Sequence, residues 1–99
     1  MINVVDEHYD EIVVRNKKGE VIRRIPEHNE TWYFCGNREI AQYDSLYDTI
    51  YLRTEYILKD FSQSAYNRAL NGAYKEMYLE LFGMLGVDEK TKLSEYSYF

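Results

Sequence analysis

Asp10-Glu11-Ile12-Val13-Val14-Arg15 is mirrored by Glu20-Val21-Ile22-Arg23-Arg24-Ile25 across the linker Asn16-Lys17-Lys18-Gly19. Asparagine opening a short turn and glycine closing it fit a type I turn ended by a left-handed glycine. The segment predicts a β-hairpin and commits the first part of the chain to antiparallel pairing. Two registers satisfy it. A glycine bulge after the turn pairs Asn16 with Glu20. A four-residue loop instead pairs Arg15 with Glu20 and Glu11 with Arg24, gathering Ile12, Val14, Val21 and Ile25 on one face. The first has the better turn chemistry, the second the cleaner patterning.

Further strands follow from composition. Thr31-Trp32-Tyr33-Phe34-Cys35 stops at Gly36-Asn37 and reads as a strand, and Ile2 to Val5 reads as a short additional one. Residues 39–43 fit a strand or a helix start. Asp44-Ser45 then offers a helix N-cap. Projected at about 100° per residue, 46–61 places Leu46, Tyr47, Ile50, Tyr51, Ile57, Leu58 and Phe61 on one face, with Leu52 and Tyr56 on the other. A second helix is expected from Ser62 or Ser64 to about Leu85, ended by Gly86. Its inner face would carry Tyr66, Leu70, Ala73, Tyr74, Met77, Tyr78, Leu81, Met84 and Leu85. Ala65, Ala69, Gly72 and Ala73 are small enough to let a neighbour approach closely. Asp88 would cap one last helical turn, ahead of the tail Leu93-Ser94-Glu95-Tyr96-Ser97-Tyr98-Phe99.

The expected architecture is α+β: an N-terminal antiparallel β-meander of three to four strands packed against two C-terminal helices. Residues 1–99 form one domain, mainly β over 1–43, with two helices over 44–86 and a short helix or tail over 87–99. A chain of 99 residues with 45% hydrophobic and 29% charged residues is ordinary for a globular protein with one core. Cys35 is the single cysteine, so no internal disulfide is available, and a free thiol suits a reducing compartment. No basic, apolar leader follows Met1 and no run of 18 apolar residues occurs, so a cytoplasmic protein with no membrane partner is expected.

Motifs that carry chemistry are missing. His8 and His28 have no metal-ligand spacing to each other or to Cys35, and no metal is expected. A nucleophilic Cys35 needs a histidine beside it, and His28 is the nearest in sequence. The carboxylate pairs Asp44/Asp48 and Glu76/Glu80 suit solvated helix faces. With no glycine-rich phosphate loop and no GxSxG, neither a cofactor nor an enzymatic activity is expected.

The surface is more telling. Arg15, Lys17, Lys18, Arg23 and Arg24 against Glu20 leave +4 on residues 15–24, within a chain of net charge -5. Eleven tyrosines add many amphipathic rings. Tyr47, Tyr51, Tyr66, Tyr74 and Tyr78 fall on expected inner faces. Leu52, Tyr56, Tyr96, Tyr98 and Phe99 have no evident core to enter, unless the tail folds back over the sheet. Exposed rings suit protein contacts. The expected function is a small non-enzymatic protein-binding module or inhibitor, with a homodimer as one form. Its partner-binding residues are Arg15, Lys17, Lys18, Arg23, Arg24, Leu52, Tyr56, Tyr96, Tyr98 and Phe99. The alternative is a nucleic-acid-binding accessory protein using the basic hairpin 15–24. In size and charge alone, the chain resembles small acidic phage-encoded inhibitors, anti-CRISPR proteins among them. That resemblance implies an acidic decoy acting on a nucleic-acid-handling host enzyme, through acidic helix residues such as Asp48, Glu55 and Asp60.

Overall fold

The hairpin forms in the glycine-bulge register. In the computed structural model, which describes residues 1–97, the Asn16 N–H donates to the Glu20 carbonyl and the Gly19 N–H to the Asn16 carbonyl, each at 3.0 Å. Asn16 Oδ1 accepts the Lys18 and Glu20 N–H groups at 2.9 and 3.0 Å, and Gly19 sits at φ +83°. Turn chemistry thus outweighs side-chain patterning: the Asn16 side chain satisfies two N–H groups of the turn, and Gly19 supplies its left-handed residue.

In chain order the elements are strands β1 (Ile2–Tyr9), β2 (Ile12–Arg15), β3 (Val21–Ile25), β4 (His28–Cys35), β5 (Arg38–Asp44) and β6 (Thr49–Arg53), a 3-10 turn (Thr54–Tyr56), helices α1 (Ala65–Asn71) and α2 (Lys75–Leu85), and strand β7 (Leu93–Tyr96). The chain is α+β, with N-terminal antiparallel strands followed by two helices. One sheet has the order β1-β4-β5-β6-β7, antiparallel except for the parallel β6–β7 pair, while β2 and β3 form a separate two-stranded sheet.

The register sorts side chains into two faces. Tyr33, Ala41 and Leu52 form one cross-strand row, and Thr31, Tyr43, Ile50 and Leu93 the next. These rows face α1 and α2, whose Ala69, Tyr78, Leu81 and Phe82 complete the core with Ile2, Ile40 and Ile57. A bulge between Tyr33 and Phe34 turns Ile40 inward, and its carbonyl accepts the buried Tyr78 hydroxyl at 3.2 Å. The residue that departs from the ladder thereby keeps its polar group satisfied. Burial pushes the Tyr78 phenol well above its ordinary pKa, so it stays a donor.

The expected helix over 46–61 is not formed, and Leu52 is accordingly not exposed. Asp44 Oδ1 does accept the Leu46 N–H at 2.8 Å, the bond an N-cap would make. Here it closes a tight turn between β5 and β6, held further by Tyr43 Oη donating to Asp48 Oδ1 at 2.7 Å. Thr49, Ile50 and Tyr51 then favour extended backbone. With period 2 in place of 3.6, Leu52 points into the core at 0% exposure and Tyr51 faces away from the helices. Tyr47, expected inside, is exposed.

The second expected helix is broken in two. Ser64 caps α1 by accepting the Asn67 N–H at 3.3 Å, and Gly86 ends α2 in the left-handed conformation, both as the sequence predicts. Between them, the Arg68 carbonyl accepts the Leu58 N–H at 3.2 Å, whereas an unbroken helix would give it to Gly72. A Cβ on Gly72 would lie 3.1 Å from Leu58 N, so the expected close approach occurs, and it ends α1 there. Met84 is exposed, while Tyr66, Leu70, Tyr74, Met77 and Leu85 pack on the core. Asp88 caps a turn rather than a helix, with its Oδ1 accepting the Lys90 N–H at 2.8 Å. The tail from Leu93 to Tyr96 is docked as β7, and Tyr98 and Phe99 lie outside the described residues.

Candidate functional site: the projecting arm and its root

The β1–β4 ladder ends at Tyr9↔His28 and the β2–β3 ladder begins at Ile12↔Ile25. The two ladders are thus one long ribbon, interrupted where Asp10-Glu11 and Pro26-Glu27 cross without pairing. Proline lacks the N–H that a ladder needs, so the ribbon breaks at Pro26. Beyond it, β2 and β3 stand out as an arm, and the molecule measures 52 × 29 × 26 Å.

Apolar side chains on the arm meet no core. Ile12 is 45%, Val14 37%, Val21 40% and Ile22 63% exposed. Around them lie the five cations, of which two are occupied locally. Arg24 pairs with Glu11 at 2.9 Å, and Arg15 donates to the Gly19 carbonyl at 2.9 Å. Lys17 and Lys18 at the tip and Arg23, opposite Val14 on the face that also carries Ile12, make no such contact and are all exposed.

The other expected contact residues are elsewhere. Leu52 is core. Tyr56 is half-buried, edge-on to Tyr74 with ring centroids 5.0 Å apart. Tyr96 is half-buried in β7, where its hydroxyl donates to Glu39 at 2.8 Å and its carbonyl accepts the Thr54 hydroxyl at 3.0 Å. The structure therefore brings Arg15, Lys17, Lys18, Arg23 and Arg24 together and separates them from the aromatic residues. Asp48 lies in the β5–β6 turn, Glu55 in the 3-10 turn and Asp60 in the loop before α1, so they share no helix face.

At the arm's root, sequence reading missed two clusters that only strand pairing assembles. On one face, His8 Nδ1 lies 2.7 Å from Asn29 Oδ1, while His8 Nε2 lies 3.1 Å from Glu27 and 3.4 Å from Asp10. Both ring nitrogens face acceptors, a demand only the doubly protonated imidazole meets. The hydrogen bond to Asn29, reinforced by the charges of Glu27 and Asp10, raises the His8 pKa above 6.5. The charged ring holds the two crossing segments together at low pH. Because the folded pKa is the higher one, this contribution is complete below about pH 6.5 and is lost as pH rises through the folded value. An NMR titration should place the His8 midpoint above 6.5, and Glu27→Gln should lower it. An unshifted midpoint in both proteins would refute the clamp.

On the opposite face, away from the helices, Glu30 and Asp44 are directly paired across β4 and β5, with His28 two residues before Glu30. One ligand-capable atom from each of the three lies within 4.8 Å of the others. The His28 ring is only 8% exposed and stacks on Tyr9, with centroids 5.1 Å apart and planes at 13°. Tyr9 donates to Glu7 at 2.5 Å, and that carboxylate pushes its phenol up to about 12. His28 and Cys35 occupy opposite ends of β4, about 23 Å apart at the ordinary strand rise, so they form no dyad.

Among the described residues no pocket is enclosed. No described helix is long and apolar enough to cross a membrane. Comparison with protein-family models, curated proteins and solved structures finds no match.

Proposed function

We propose that the chain is a non-catalytic protein-binding module whose contact element is the β2–β3 arm. One observation carries the reading: Ile12, Val14, Val21 and Ile22 stand exposed on an element that contributes no residue to the hydrophobic core. Apolar side chains gain nothing from water, and one face of the arm sets Ile12 and Val14 beside Arg23 and Ile25, a mixture of apolar area and positive charge that suits a protein contact. The complementary partner surface combines apolar area with negative charge. A nucleic acid fits less well, because Arg24 is already paired with Glu11 and the body beyond the arm is acidic. The decoy form draws support only from the net charge of -5, since Asp48, Glu55 and Asp60 lie on separate turns and loops.

A photo-crosslinking residue at Val14, followed by mass spectrometry, identifies what the arm touches, and a second copy would appear as a dimer of twice the mass. Against the purified partner, Ile12→Ser and Ile22→Ser should each weaken binding by about 2 kcal/mol, or ~30-fold, with the far-UV spectrum unchanged. Unchanged affinity in both variants would remove the arm from the interface.

A further inference from the structure

We infer that His28, Glu30 and Asp44 form a binding site for one divalent cation of the zinc class. The site stands on geometry that owes nothing to the role of the arm. Glu30 and Asp44 are directly opposed on neighbouring strands, and Asp44 is buried. Among the described residues no lysine or arginine pairs with either carboxylate. Two such carboxylates side by side repel one another, and a cation between them removes the repulsion.

His28 supplies a second and independent sign. Its ring is more than nine-tenths buried, at 8% exposure, and Nδ1 lies 2.9 Å from the Pro26 carbonyl. A carbonyl only accepts, so the proton of the neutral ring is on Nδ1 and the Nε2 lone pair is left free. Nε2 makes no hydrogen bond among the described residues and faces Glu30 Oε1 at 3.7 Å. Metal-bound histidines typically hold their other ring nitrogen this way, donating to a backbone carbonyl. The Tyr9 ring stacked on His28 fixes the plane as well.

Dimensions agree. With bonds of about 2.0–2.1 Å, neighbouring ligands of a tetrahedral zinc ion stand about 3.4 Å apart. The 3.7 Å between His28 and Glu30 is close to this, and the 4.8 Å limit on the set requires only a small rotation of a carboxylate. One imidazole with two carboxylates suits zinc, cobalt or manganese more than calcium or magnesium, which favour oxygen alone. Three protein ligands leave one position for water. The ion would tie the first residues of β4 to the end of β5, at the point where the arm leaves the body.

The test is calorimetric titration of EDTA-treated, desalted protein with Zn²⁺, with Mg²⁺ as the comparison. The expected result is a single site of 1:1 stoichiometry for Zn²⁺ and at least 100-fold weaker binding of Mg²⁺. His28→Ala and Asp44→Asn should abolish the Zn²⁺ isotherm, while His8→Ala, which removes the exposed cluster on the other face, should leave it intact. Glu30→Gln covers the case in which Asp44→Asn fails to fold, and amide shifts on adding Zn²⁺ should centre on residues 26–30 and 42–46. Loss of binding in His8→Ala but not in His28→Ala would overturn the site, as would no heat with Zn²⁺.

Discussion

Leu52→Ala is expected to lower the unfolding free energy by about 2–5 kcal/mol, whereas Tyr51→Ala beside it should cost about 1 kcal/mol or less. Urea unfolding midpoints give both numbers. The contrast follows from strand geometry. Leu52 is fully buried beneath the helices, in one core cluster with Ile40, Ala41 and Tyr78, and its truncation leaves a cavity there. Tyr51 points to the open face of the sheet, paired with Gln42 and Ser94. A helix over 46–61 reverses the order, placing Tyr51 inside and Leu52 outside. A larger loss at Tyr51 than at Leu52 would therefore overturn β6.

The second large effect concerns a charge. The Arg68 side chain is only 4% exposed and pairs with Glu95, itself 22% exposed, while its Nε donates to the Leu58 carbonyl at 2.8 Å. Its guanidinium also lies over the Phe61 ring, 4.4 Å from the centroid. Glu95 is the one carboxylate in contact with this cation among the described residues. Removing it by Glu95→Ala leaves a buried positive charge without its ion-pair partner, a loss of about 3–5 kcal/mol. Arg68→Met combined with Glu95→Leu deletes both charges and should recover most of that loss, because neither ion then needs desolvating. Equal destabilisation in the single and double variants would show that the pair is not the reason β7 stays docked.

The hairpin was the most legible part of the sequence, because its information is local: Asn16 and Gly19 act within the turn they specify. The caps Ser64 and Gly86 were legible for the same reason. Asp44 shows the limit of local signals. It makes the hydrogen bond that a helix N-cap makes, yet the same bond closes a β-turn, and the residues after it decide between the two. In 49–53 both periods fit, since Ile50 is inward in either, and only pairing with β5 separates them. The break at Gly72 depends on Leu58 arriving from another segment to take the Arg68 carbonyl. Of the candidate site, the basic cluster on 15–24 was visible as a charge count. The His28, Glu30 and Asp44 cluster was not, because the spacing from Glu30 to Asp44 has no meaning until β4 and β5 are in register. Leu52 failed as a contact residue for the reason that 46–61 failed as a helix.

The parallel β6–β7 pair has a consequence for how the chain is made. Its two strands are separated by the whole helical segment, and β7 leaves the ribosome after the other described elements. Until then the nascent protein carries an uncapped β6 edge next to an Arg68 that lacks its counter-ion. That half-finished species, rather than the native fold, is the form most exposed to edge-to-edge aggregation.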